Sequence, residues 1–245
     1  MSKRVVCLSG AALLLPVVWG LSGGPLEYAG VPVTAQSQRQ VQTDIALRTQ
    51  PVVITRVTLG GSTVQYGRFV RSAAEAPDPI TPFTGDDEWI KGLTVFFLNR
   101  TNRTIVRAQF MFSFPETTAG RNRAAFSLTL GRLPDVVSVD KGGKFHPQPP
   151  ELQPINFGPG QTMPIHLADY IDQIKAAVGP DWHLESLTQV NVTMPGFYFS
   201  DGTMYAGGYR TFDPQSAAWQ RLGADYFPGN MDRYWPGSAA WVDRE

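Results

Sequence analysis

Between Pro51 and Tyr209 several segments alternate apolar and polar residues with a period of two, which predicts β-strands. In "PVVITRVTLGGSTVQYGRFV", Pro51–Val70, the residues Val53, Thr55, Val57 and Leu59 share one face of a strand. Gly60-Gly61 turns the chain there, and Thr63 to Val70 completes a first hairpin. Residues 72–88, rich in Pro and Asp, predict a loop. The densest strand signal follows in "WIKGLTVFFLNRTNRTIVRAQFMFSF", Trp89–Phe114. Leu93, Val95 and Phe97 alternate with Thr94, Phe96 and Leu98; then Val106, Ala108, Phe110, Phe112 and Phe114 oppose Ile105, Arg107, Gln109 and Met111. Both strands turn apolar on two faces near their ends, the pattern of central strands.

"NRTNRT" joins those two strands and holds formal glycosylation sequons at Asn99 and Asn102, with a third at Asn191. Asn tolerates left-handed backbone, so the stretch predicts a connecting turn, and Asn191 falls inside a strand. "AAFSLTL", 124–130, predicts a further strand. Residues 131–160 read as loop, with Val136, Val137 and Val139 as a short edge strand, and "QTMPIHL" as a strand with Pro164 near an edge.

A helical period occurs once: Leu167, Ile171, Ile174 and Val178 fall on one helical face, and Gly179-Pro180 stops it. "LESLTQVNVTMPGFYF" predicts a long strand in which Val190, Val192 and Met194 share a face and Pro195-Gly196 marks a bulge. In "FYFSDGTMYAGGY", Asp201-Gly202 predicts a tight hairpin turn. The aromatic-rich residues 211–245 predict an extension packed over the strands, and "SAAWQRL" within them suits a turn or two of helix.

Composition adds to this picture at three points. The 245 residues hold 21 basic and 21 acidic side chains, so no net field favours nucleic acid or an anionic membrane. At the N-terminus, Lys3 and Arg4 precede the apolar run Val5–Leu21, the pattern of a secretory signal. Val33 and Ala35 offer small residues for cleavage after Ala35, and an uncleaved run would serve as a membrane anchor, leaving the rest exported in either case. The single cysteine, Cys7, lies in that run, so beyond it there is no disulfide, zinc-thiolate or cysteine nucleophile. The domain reading is a signal or anchor over 1–35, a flexible Gln-rich lead-in over 36–49, a β-sandwich over 50–210 and the extension over 211–245.

Many short strands, one helix and no βαβ alternation predict an all-β sandwich with the helix in a crossover between the sheets. "LTVFFLNRTNRTIVRAQFMF", "PGQTMPIHL" and "FSDGTMYAGG" together resemble segments of uncharacterised exported bacterial proteins with an immunoglobulin-like domain, over roughly Leu93–Gly208. The resemblance implies an immunoglobulin-like antiparallel β-sandwich and an exported location in the periplasm or outside the cell. It implies no catalytic residues.

The candidate chemistry is sparse. His146, His166 and His183 lack metal-ligand spacing, and neither a serine elbow nor a phosphate loop occurs. The carboxylates Asp86, Asp87, Glu88, Glu151, Glu185 and Asp201 sit mostly in loops, where solvation and turn formation explain them. "TGDDE" and "SDGT" could each lend oxygens to calcium, although Asp201 equally supplies its own turn's geometry. The aromatics Tyr198, Tyr205, Tyr209, Trp219, Tyr234, Trp235 and Trp241 either fill a core or stack on sugars; of these, Tyr205, Tyr209, Trp219 and Trp235 form the candidate ligand surface. The expectation is a non-enzymatic exported protein with an accessory or interaction role and no cofactor, partnered by a protein or polysaccharide and touching membrane only through its N-terminal segment. A carbohydrate-binding module and a carboxylate-dependent hydrolase are the alternatives. Exposed Trp and Tyr in one coplanar row would mark the first, and convergent carboxylates in a cleft the second.

Overall fold

In the computed structural model the described residues are 37–44, 50–69, 82–119, 122–134, 153–213, 215–216, 218–223 and 226. The predicted leader, the valines at 136–139, His146, Glu151, Tyr234, Trp235 and Trp241 lie outside them. Among the described residues no helix is long and apolar enough to cross a membrane.

Strands β1 (Ser37–Asp44), β2 (Val52–Leu59), β3 (Ser62–Val64), β4 (Gly67–Phe69), β5 (Phe83–Gly85), β6 (Leu93–Asn99), β7 (Ile105–Ala119) and β8 (Asn122–Gly131) make up the first half. β9 (Thr162–His166), β10 (Gln189–Phe199), β11 (Thr203–Tyr205), β12 (Tyr209–Asp213) and β13 (Ala218–Arg221) make up the second. They form two sheets. One is four-stranded, in the order β3-β2-β6-β9. The other is nine-stranded and built around β10, which pairs with β7 on one side and with β1 and β11 on the other. β8 extends the β7 side, and β12 and β13 extend from β11. The inner faces meet in one core, where Phe97 of β6 lies 4.4 Å from Phe110 of β7, ring to ring, and Phe110 packs edge-on against Phe197 of β10.

A 3-10 turn (Leu167–Tyr170) runs into helix α2 (Ile171–Val178), which carries the chain from β9 in the small sheet to β10 in the large one. Leu167, Ile174 and Val178 are buried, as the helical period requires, and Tyr170 packs against Phe126 of β8. Gly179, with φ 86°, ends the helix.

Several local expectations need correction. Residues 36–49 are not a flexible lead-in throughout: they contain β1, which runs parallel to both β10 and β4 and so makes the sheet mixed rather than purely antiparallel. Little of β1 is apolar. Val41 enters the core, while Gln40 donates to Gln189, which donates to Asn191, in an amide ladder at 2.7 and 2.6 Å. On β2 the predicted face breaks at a bulge between Ile54 and Arg56: Val52 and Ile54 face the core before it, Val57 and Leu59 after it, and Thr55 is exposed. The predicted return strand splits, with β3 staying in the small sheet and β4 crossing to the large one. Trp89–Gly92 is a turn of helix, α1, instead of the start of a strand. Trp89 and Ile90 are adjacent and both 1% exposed, which a helical turn permits and a strand's alternation opposes. Residues 209–221 continue the large sheet as β12 and β13 rather than lying over it, so "SAAWQRL" is largely strand, held by Trp219 opposite Phe212.

Candidate functional site

One cross-strand row organises the outer face of the large sheet. Arg107 of β7 lies opposite Tyr198 of β10, Tyr198 opposite Met204 of β11, Met204 opposite Arg210 of β12, and Arg210 opposite Arg221 of β13. Residues directly opposite in antiparallel pairs share a face. The neighbouring strands bury Ala108, Phe197, Tyr205 and Tyr209 on the inner face, so this row points away from the core. Phe212 and Trp219, two residues along from Arg210 and Arg221, lie on the same outer face.

The side chains in this row pack on one another. The Arg107 guanidinium sits 5.5 Å from the Tyr198 ring centroid, Tyr198 meets Trp219 edge-to-face at 5.9 Å, and Trp219 meets Phe212 at 5.3 Å. Arg210 and Arg221 are exposed, while Arg107, Tyr198, Phe212 and Trp219 are half-buried. Arg107 Nε is buried and has no hydrogen-bond partner. Among the described residues none of these arginines is paired with a carboxylate. The adjoining outer positions on β7 and β8 are Gln109, Met111, Ser113, Ser127 and Thr129, opposite one another in register, and none is acidic.

The predicted ligand residues divide. Trp219 belongs to this face. Tyr205 and Tyr209 do not: each is 4% exposed and inside the core, packed ring to ring at 5.1 Å, with Tyr209 also against Tyr226 and Phe199. Burial holds the Tyr209 hydroxyl far above its ordinary range; Tyr205 adds to this, and the opposing pull of Arg100 and Arg103 does not offset it. Tyr198 and Trp219 stand at 66° to each other, so they are not a coplanar pair. Arg107, Arg210, Arg221 and Phe212 carry no sequence signal as a group, because they come from separate strands and only the register unites them.

Apart from this face, a concavity of about 560 Å³ lies between α1 and the C-terminal end of α2, lined among others by Asp87, Glu88, Lys91, Lys175, Trp182 and Glu185. It gathers three of the carboxylates singled out from the sequence, but each lies beside a basic side chain. Asp87 is 3.4 Å from Arg39, Glu88 pairs with Lys91, and Glu185 lies 3.9 Å from His183. The Asp87, Glu88 and Glu185 side chains are 41%, 64% and 57% exposed, so water screens them strongly. Beneath the rim, the buried Arg39 donates to the carbonyls of Leu187 (2.5 Å) and Glu185 (3.1 Å), and the Trp89 indole donates to the same Leu187 carbonyl (2.9 Å). These contacts clamp β1, α1 and the approach to β10 together.

The remaining candidates have local partners. Asp201 accepts from the Thr203 backbone N–H and hydroxyl through Oδ1, and pairs with Arg103 through Oδ2, while Gly202 turns the chain at φ 83°. "SDGT" is therefore a hairpin turn whose cation is a guanidinium. In "TGDDE", Asp86 caps the Glu88 N–H at 3.0 Å. His166 is exposed on β9 and bonds Thr94, and among the described residues no three His, Cys, Asp or Glu side chains converge. Asn99 is fully buried, which suits the turn and leaves no room for a glycan; Asn191 is 6% exposed within β10. No family model, no curated protein and no solved structure matches this chain.

Proposed function

We propose that the protein is an exported, non-enzymatic β-sandwich with an interaction role in the cell envelope or outside the cell, and that its partner docks on the outer face of the large sheet around Tyr198 and Trp219. The observation that carries this reading is the Arg107–Tyr198–Met204–Arg210–Arg221 row with Phe212 and Trp219 beside it. Arg, Tyr and Trp are the residue types that dominate binding hot spots, because they supply large rigid contact area together with directional polar groups. Their meeting on one face, with the arginines lacking carboxylate partners among the described residues, leaves directional donors beside aromatic surface for a partner to use. The basic-then-apolar run Lys3–Leu21 supports export.

The test places a photo-crosslinking amino acid at Phe212 in the full chain, in intact cells, with the same group at exposed Thr63 of the small sheet as control. A cell-surface or periplasmic adduct of any composition is expected from position 212 and not from 63. Equal labelling at both positions, or none at 212, would remove this face as the docking site, and an adduct confined to the cytoplasm would remove export.

A further inference from the structure

We propose that the occupant of this face is an anionic polysaccharide lying across the strands, a reading that rests on the docking site above and names its chemistry. Three features of the face select this partner. The first is the placement of charge. Strands in a sheet lie about 4.8 Å apart, so Arg210 sits roughly 14 Å and Arg221 roughly 19 Å from Arg107 along the row. Cationic groups in line over that span match a chain that repeats its negative charge, better than a single compact anion.

The second is the absence of opposing charge among the described residues of this face: Gln109, Ser113, Ser127 and Thr129 are neutral, and Arg210 and Arg221 are exposed with no carboxylate partner among those residues. An anion arriving there meets donors and no carboxylate. The third is the surface between the charges. The rows of β7 and β8 present amides and hydroxyls, which exchange hydrogen bonds with a polyhydroxylated chain; among the described residues the larger apolar side chains at this surface are Met111, Tyr198, Phe212 and Trp219, all half-buried, while Met204 is buried. A protein partner generally needs a more apolar core to its interface. Guanidinium groups bind carboxylates and sulfates bidentately, which suits Arg at each of these positions better than Lys. The tilted Tyr198–Trp219 pair adds an edge for a sugar ring to pack against, not a flat platform, so charge carries more of the recognition than stacking does.

The experiment measures binding of the purified full chain, in mild detergent, to polygalacturonate, to neutral dextran and to polyglutamate. Wild type is expected to bind polygalacturonate, more weakly as salt rises. Because hydrogen bonds to charged groups are the strong ones, the triple variant Arg107→Gln, Arg210→Gln, Arg221→Gln is expected to bind about tenfold or more weakly. The single variant Arg210→Gln, at an exposed position, shows the same direction without risk to folding, and Arg56→Gln on the other sheet leaves binding unchanged. No binding of polygalacturonate, or binding indifferent to the arginines, overturns the proposal. Equal arginine-dependent binding of polyglutamate overturns it in favour of an acidic protein. Binding of dextran that depends on Trp219 and not on the arginines overturns the charge argument while leaving the docking face in place, and the position-212 adduct reports on that face separately.

Discussion

At the scale of single side chains, Asn99 makes four hydrogen bonds from within the core. It is fully buried, donates to the carbonyls of Arg103 and Phe157 at 2.8 Å each, and accepts from the Thr101 N–H at 2.9 Å and hydroxyl at 2.7 Å. Its side chain thus closes the β6–β7 turn and fastens that turn to Phe157. Removing it strands several buried donors and acceptors at once, and such groups cost about 1–3 kcal/mol each when left unmade. Asn99→Ala is therefore expected to lower unfolding free energy by roughly 3 kcal/mol, read from the midpoint of a denaturant titration with unchanged slope. Thr101 lies beside it, also fully buried, so the "NRT" of the sequon is a structural unit.

At the scale of elements, close approach sets the limits on change. Gly131 ends β8 at φ 81°, and a Cβ there would lie 2.1 Å from the Val106 carbonyl oxygen. Gly61 has a similar φ of 87° in the β2–β3 turn with nothing within 4 Å of a new Cβ. Gly61→Ala is thus expected to cost only the left-handed strain, about 1 kcal/mol, whereas Gly131→Ala adds a backbone clash and costs about 3 kcal/mol or more. Paired thermal melts separate the two terms. The elements also show where sequence was informative. β6, β7, α2 and the β10–β11 hairpin are legible because each has one buried face with a clean period or a turn dipeptide that admits a positive φ. β1 is not legible, because amide pairing through Gln40 and Gln189 does what apolar alternation does elsewhere. Nor is α1, too short to show a period, or the β2 bulge, which changes phase without a glycine or proline to announce it. The outer-face row was legible residue by residue at most: Arg107 falls on the polar side of β7, but its neighbours depend on register across five strands.

At the scale of the whole molecule, the tyrosine cluster sets an alkaline boundary. Tyr209 is held protonated by burial in the folded state, whereas in the unfolded chain a tyrosine ionises near pH 10. Because its folded pKa is raised, the stability it contributes is complete below about pH 10 and is lost as pH rises above that value. The melting temperature is expected to be flat through neutral pH and to fall beyond about pH 10, and Tyr209→Phe should fall less steeply there. A fall of equal steepness in the variant would assign the boundary to other groups.

The pairing of β1 with β10 has a consequence in time. Gln40 bonds a residue 149 positions further along the chain, and both lateral neighbours of β1 in parallel register come after it in sequence. A chain delivered from its N-terminal end, whether from a ribosome or through a membrane pore, presents β1 first and its principal partner late. Until β10 arrives, β1 has no full sheet to join and the large sheet cannot close, so non-local pairing of this kind makes maturation slow. The polar, glutamine-rich character that hides β1 from pattern recognition is also what lets it wait in water, since a strand with so little apolar surface gives other chains little to stick to in the interval.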